Sequence, residues 1–149
     1  MTAAARPANP LALEEQVCFA LSVAARSVVA VYRPLLEPMG LTHPQYLVML
    51  ALWEHEPLSV RELSRLLQLE PATLSPLLKR LEESELVRRE RDPRDERALA
   101  VRLTEQGRDL RRRAEQIPGQ VVDALGIEVT ELQRLHRMLT RVIAAARTS

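Results

Sequence analysis

One thiol and one cluster of guanidiniums are the residues of this 149-residue chain whose chemistry stands out. Cys18 is the single cysteine. It cannot belong to an internal disulfide framework, which suits a reducing cytosol, and it is either a small buried hydrophobe or a reactive thiolate. Arg88, Arg89, Arg91, Arg94 and Arg97 gather within ten residues, beside four acids. A guanidinium is always charged and narrow enough to enter a minor groove, where the potential is most negative, and a neighbouring carboxylate such as Asp95 can hold it in position. The plain alternative is a solvated loop of mixed charge. A third group is Thr73, Ser75, Lys79 and Arg80. The first two could reach base edges or phosphates, while the basic pair suits phosphate contacts that add salt-dependent affinity without sequence information.

The elements that must carry these residues are mostly helices. Aromatic residues are 3% of the chain, apolar residues 46%, and only 4 glycines occur, so long helices are favoured over a sandwich. From Leu13 the positions Val17, Leu21, Ala24, Val28, Val31 and Leu35 recur at helical steps, predicting a long helix that ends near Pro34. Thr42 and Gln45 are spaced as a capping box around Pro44, and Tyr46, Leu47, Leu50 and Trp53 supply the buried stripe of a second helix closed by Pro57. Ser59 and Glu62 form another capping box, opening a short helix with Leu63, Leu66 and Leu67 inward. After a brief connector, Leu74, Leu77, Leu78 and Leu81 form the core face of a fourth helix. Pro76 kinks that helix if it begins at Pro71 and is harmless if it begins nearer Leu74. Leu99, Val101 and Leu103 then alternate with Ala98, Ala100 and Arg102, and Asp92-Pro93 reads as a turn, giving a short two-stranded hairpin. Thr104 looks like the cap of a helix running toward Pro118-Gly119. After Gly126 a last amphipathic stretch puts Leu132, Leu135, Leu139 and Val142 on one side.

Two short helices joined by a tight turn, the second exposing small polar and basic groups, describe a helix-turn-helix as well as they describe an ordinary helical hairpin with a solvated polar face. A formal net charge of +1 says that any nucleic-acid footprint must be local. The Met1–Pro10 stretch lacks a signal-peptide core, and no later run approaches membrane-spanning length, so the expectation is a cytoplasmic protein.

The stretch Leu86-Val87-Arg88-Arg89 through Asp95-Glu96-Arg97, closed by Val101-Arg102-Leu103-Thr104-Glu105-Gln106-Gly107, resembles the wing signature of MarR-family regulators. Five further segments resemble the OhrR branch, the organic-hydroperoxide-sensing repressors. They are Gln16-Val17-Cys18-Phe19-Ala20-Leu21, Tyr32-Arg33-Pro34-Leu35-Leu36, Pro44-Gln45-Tyr46-Leu47, Thr73 through Glu82, and Ile117-Pro118-Gly119. The resemblance spans nearly the whole chain beyond its first ten residues. It implies one domain over 1–149, mainly α with a small β-hairpin wing: dimerisation helices over about 11–40 and 105–149, and a winged helix-turn-helix over about 41–104. The implied partners are double-stranded operator DNA and a second copy of the chain. By the family's motif Arg97 is the minor-groove wing residue, Asp95 its orienting carboxylate, and Thr73 and Ser75 members of the reading helix, with Arg94 an additional candidate.

The same resemblance makes Cys18 a redox sensor. Cys18 is expected beyond the first turn of its helix, where the macrodipole has faded, so that hydrogen-bond donors must stabilise the thiolate. Tyr32, fourteen residues on, points to nearly the same side but lies about 21 Å away along the axis. Antiparallel packing of the same helices across a two-fold would bring Tyr32 of one subunit to Cys18 of the other. In the family that position before Pro44 is usually a second tyrosine; here it is His43, which can still donate a hydrogen bond and, if protonated, would favour the thiolate more strongly. Plain interface packing for Tyr32 and no role for His43 remain the alternatives, and Tyr46 and Trp53 read as core aromatics. The implied chemistry is oxidation of Cys18 by an organic hydroperoxide, completed by a small cellular thiol or a backbone nitrogen. No cofactor, metal or catalytic residue is expected. Rival readings are a regulator that responds to a small phenolic or aromatic ligand, a thiol peroxidase, and a purely structural helical adaptor. The peroxidase is disfavoured by the lack of a second thiol and of alternating strands and helices.

Overall fold

The computed structural model describes residues 9–148 and, within them, every side chain but that of Glu96. The Met1–Pro10 stretch therefore falls mostly outside the described residues. After a 3-10 turn at Leu13–Glu15 the order is α1 (Val17–Leu36), a second 3-10 turn (Glu37–Met39), α2 (His43–His55), β1 (Leu58–Ser59), α3 (Val60–Leu67), α4 (Pro71–Glu83), β2 (Val87–Asp92), β3 (Asp95–Leu103), α5 (Glu105–Ala114), α6 (Ile117–Leu125) and α7 (Val129–Arg147).

Local signals account for most boundaries. Thr42 and Ser59 each close a capping box, with Gln45 and Glu62 returning the hydrogen bond. Thr104 Oγ1 accepts the Gly107 N–H at 3.0 Å and opens α5. Gly126, at φ +64°, ends α6 in the left-handed conformation that glycine adopts without penalty.

Three expectations need correction, and one open alternative is decided. α1 runs through Pro34 to Leu36: the proline removes one helical bond, from the Ala30 carbonyl, and Ala30 is exposed, so water can satisfy that oxygen. The Thr104-capped helix stops at Ala114, and Pro118 lies in the first turn of α6, where no backbone donor is needed. α4 does begin at Pro71 and continues through Pro76. The hairpin gains a third strand, in the order β1-β3-β2 and antiparallel throughout, with Leu58 facing Val101. A two-residue strand is too short to show alternation in a sequence.

The core gathers α2, α3, α4 and the sheet around Met49, Leu52, Leu63, Leu74, Leu78, Leu81, Val101 and Leu103. Burying each such side chain contributes about 2 kcal/mol. In α2 the buried stripe is Tyr46, Val48, Met49 and Leu52, while Leu50 is exposed and Leu47 and Trp53 are half-buried. The helix is apolar nearly all round, so periodicity could not select its inner face. In α3 only Leu63 is fully inside, and Leu66 is exposed.

The outer helices differ. α7 has no buried residue, and Leu135, Met138, Val142 and Ile143 stand 46–57% exposed. α1 buries only Leu36, leaving Val17, Phe19 and Val23 exposed. Contrary to the sequence expectation, Val17–Met39 has the length and composition of a membrane-spanning segment. Arg26 and Arg33 interrupt it, and like α7 it leaves apolar side chains exposed.

Candidate nucleic-acid interface and thiol site

α3 and α4 are joined at Gln68, which takes a left-handed conformation (φ 54°), and the Leu69 N–H donates to the Ser64 carbonyl at 3.1 Å. The turn is therefore tight. Leu74, Leu78 and Leu81 anchor α4 by its inner face. That orientation leaves Thr73, Ser75, Lys79 and Arg80 exposed together on the outside of the second helix of the pair.

In the wing, the guanidiniums divide into two kinds. Arg88 is paired with Glu90 at 2.8 Å, Arg89 with Glu82, and Arg94 with both Asp92 (3.2 Å) and Glu62 (3.0 Å). Glu90 also takes Arg102, from the neighbouring strand, at 2.9 Å. Arg91 and Arg97 have no ion pair among the described residues, and both are exposed. Arg94 thus clasps the hairpin to the start of α3. The Arg94 backbone N–H, then its side chain, holds the buried Asp92 carboxyl below the usual carboxylate range; the Ser59 backbone N–H, then Arg94, does the same for Glu62. The arrangement also revises the part expected of Asp95. Its Oδ1 accepts the backbone N–H of Arg97 at 3.0 Å, fixing the main chain from which that guanidinium projects rather than the guanidinium itself.

Cys18 is exposed and is the second residue of α1, after the N-cap Gln16. This corrects the expectation that it lies beyond the first turn. Cys18 therefore lies in the turn whose backbone N–H groups have no helical partner. Tyr32 is fourteen residues on in the same helix, about 21 Å along its axis, so one chain alone does not bring the two together. Tyr32 is instead packed with His43, ring centroids 4.9 Å apart and edge-on, and with Tyr46 at 5.7 Å; His43 and Tyr46 are 6.3 Å apart. Tyr46, assigned from sequence to the core alone, completes this group. Its spacing of three from His43 on one helix was the available signal. Burial raises the Tyr32 and Tyr46 pKa values and lowers that of His43, so the trio favours neutral, hydrogen-bond-donating forms over a protonated imidazole. Among the described residues no cluster of His, Cys, Asp and Glu could hold a metal ion.

Residues 41–99 match the model of the MarR family. Over 110 residues the chain is 44% identical to the organic hydroperoxide resistance transcriptional regulator of Bacillus subtilis, covering 74% of this chain and 75% of that one. The chain belongs to the MarR family. Its fold is the MarR winged helix, and the protein is a DNA-binding transcriptional regulator. The structure of reduced AbfR bound to DNA superposes with a TM-score of 0.78 at 33% identity, over 91% of this chain and 93% of that one; AbfR is a protein of Staphylococcus epidermidis. The disulfide-formed state of AbfR superposes with a TM-score of 0.61 at 32% identity, over 91% and 90% of the two chains. The matched MarR segment holds α2, α3, α4 and most of the wing, and stops short of the outer helices.

Proposed function

We propose that this MarR regulator is a cytoplasmic repressor that senses organic hydroperoxides through Cys18 and releases its operator when that thiol is oxidised. The observation that carries the proposal is the seat of the one thiol: exposed, in the first turn of a helix whose N-terminal apolar residues Val17, Phe19 and Val23 its own chain leaves exposed. The similarity to a hydroperoxide resistance regulator, and the reduced and disulfide states of AbfR, support the same reading.

In this reading residues 11–40 and 105–149 form the dimerisation helices and 41–104 the reading module, a division of the single domain. Two copies bury the exposed faces of α1 and α7 against each other, because contiguous apolar surface of this extent is costly to leave in water. Antiparallel packing of α1 brings Cys18 of one subunit toward Tyr32, His43 and Tyr46 of the other, whose neutral O–H and N–H groups donate to the thiolate. The thiolate attacks the terminal peroxide oxygen, the O–O bond breaks, and an alcohol leaves after taking up a proton. Cys18 is then a sulfenic acid. With 1 cysteine in the chain, the next step is condensation with a small thiol, expelling water and leaving a mixed disulfide. That bulk at the subunit boundary alters the spacing of the two α4 helices, and with it the fit to a pseudo-palindromic site. Thr73 and Ser75 read base edges or phosphates, Lys79 and Arg80 contact phosphates, and Arg97 enters the minor groove. Arg94 acts on DNA through the clasp.

A gel shift on operator-containing upstream DNA tests the switch. Wild-type protein loses the shifted band on adding cumene hydroperoxide with a small thiol, and Cys18→Ser retains it. Release by the serine variant sinks the redox reading.

A second reading has one observation in its favour. A cavity of about 310 Å³ between α2 and the end of α5 is lined by Leu50, Trp53 and Ala114 together with Arg111, Glu54 and Glu115, a setting for a small aromatic ligand. Release of DNA by such a ligand, equal in wild type and Cys18→Ser, would favour it.

A further inference from the structure

A large cleft next to the reading module carries cations that neither the wing signature nor the reading helix accounts for. It lies between the start of α3 and the wing, encloses about 700 Å³, and is lined by Arg61, Arg65, Glu62, Asp92, Asp95 and Arg97 among others. Its acids are all engaged: Glu62 and Asp92 share the one guanidinium of Arg94, and Asp95 accepts the Arg97 backbone N–H. Its cations are not. Arg61, Arg65 and Arg97 are exposed and have no ion pair among the described residues. Arg61 and Arg65 are four residues apart on α3, hence on one face with about 6 Å of rise between them. With Arg94 included, four guanidiniums stand against three carboxylates at this cleft, and three of the four guanidiniums are in no ion pair among the described residues.

A protein that places a helix in a major groove and a wing tip in the adjacent minor groove straddles the sugar–phosphate strand that forms the wall between them. The surface between helix-turn-helix and wing is where that strand must run, and this cleft, lined by α3 and the wing, is part of that surface. We infer that Arg61 and Arg65, with Arg97, form a track that takes successive phosphates of the strand separating the two grooves. The track binds the backbone and reads no bases, so it supplies affinity and register on any duplex. Guanidinium suits the task because its fork of donors matches phosphate oxygens in pairs. The inference rests on the wing meeting DNA as proposed above. Sequence inspection passed over both α3 residues because an Arg on a short amphipathic helix reads as part of a solvated face.

The test uses the full chain and a 30-base-pair duplex of random sequence, with affinity followed by fluorescence anisotropy between 50 and 200 mM salt, a range set by the usual window for counterion release. Each phosphate contact adds about 0.9 to the slope of log affinity against log salt, which at 0.1 M corresponds to roughly eightfold in affinity. Arg61→Ala and Arg65→Ala are each expected to reduce the slope by about that amount per subunit engaged, and Arg65→Lys to retain most of it. Arg112→Ala, an exposed cation on α5, is the control for general loss of charge and should leave the slope unchanged. Far-UV dichroism checks that the variants fold, as the exposure of both side chains leads us to expect. Wild-type slopes in both alanine variants, with Arg97→Ala still impaired, overturn the track. So does calorimetric binding of inorganic phosphate that the alanine variants abolish while their salt slopes stay intact, since the cleft would then be a small-anion site. Failure of the wild type to bind any duplex would instead overturn the DNA reading of the wing.

Discussion

α4 and α7 carry the same kind of pattern and meet opposite fates. In α4, Leu74, Leu78 and Leu81 recur at helical spacing and are at most 1% exposed, sealed by α2, α3 and the sheet of their own chain. In α7, Leu135, Met138 and Val142 recur at the same spacing and remain about half exposed. An amphipathic stripe states that a face will be covered; it does not state by what. The difference separates helices sealed by their own chain from outer helices that leave apolar side chains exposed, and the proposed sensor sits on the second kind of helix.

Placing charge on the uncovered face should have the largest effect. Leu135→Arg with Val142→Arg is expected to convert a dimer to a monomer by light scattering and to weaken operator binding about 100-fold or more, because the second reading head no longer adds its effective concentration. The helix-turn-helix core should remain folded by dichroism. Loss of all structure in this variant would show that the two regions are not energetically separate. Next in size is damage inside the module. Leu78→Ala should cost about 3 kcal/mol in denaturant melting through the cavity it leaves. Gly107→Ala should cost about 2 kcal/mol, since an added Cβ would stand 2.1 Å from the Leu86 carbonyl oxygen, which is main chain and cannot swing aside. Neither substitution should shift the association state.

The smallest effect is on pH dependence. Burial lowers the His43 pKa, so the unfolded chain binds the proton more readily than the folded one. The stability that follows is present above the ordinary histidine pKa of about 6.5 and is lost as pH falls below it toward the folded value. His43→Gln should flatten the melting temperature between about pH 7 and 5. An unchanged profile in that variant would remove His43 from the titrating groups that matter.

Much of the fold was legible because its signals are local. The capping boxes at Thr42 and Ser59, the left-handed glycine at Gly126 and the leucine spacing of α4 each follow from interactions within a turn or two of helix. The inner face of α2 was not legible, since Val48, Met49 and Leu52 differ from Leu47 and Leu50 only in what lies opposite them. The position of Cys18 was missed by the same logic: the apolar spacing extends back to Leu13, yet the chain breaks at Gln16 and restarts, which puts the thiol in a first turn.

At the candidate site, residue types alone marked out Cys18, the wing arginines and the polar face of α4, because a lone thiol and clustered guanidiniums are chemically conspicuous wherever they fold. Only the tertiary structure decided which arginines are free. Arg88, Arg89 and Arg94 find carboxylates on a neighbouring strand position, on α4 and on α3, whereas Arg91 and Arg97 find none among the described residues. The cleft that sets Arg61 and Arg65 beside Arg97 likewise joins segments some thirty residues apart. Charge is a property of a residue, but whether that charge is already neutralised depends on distances of a few ångströms between segments remote in the chain, and those distances come from packing.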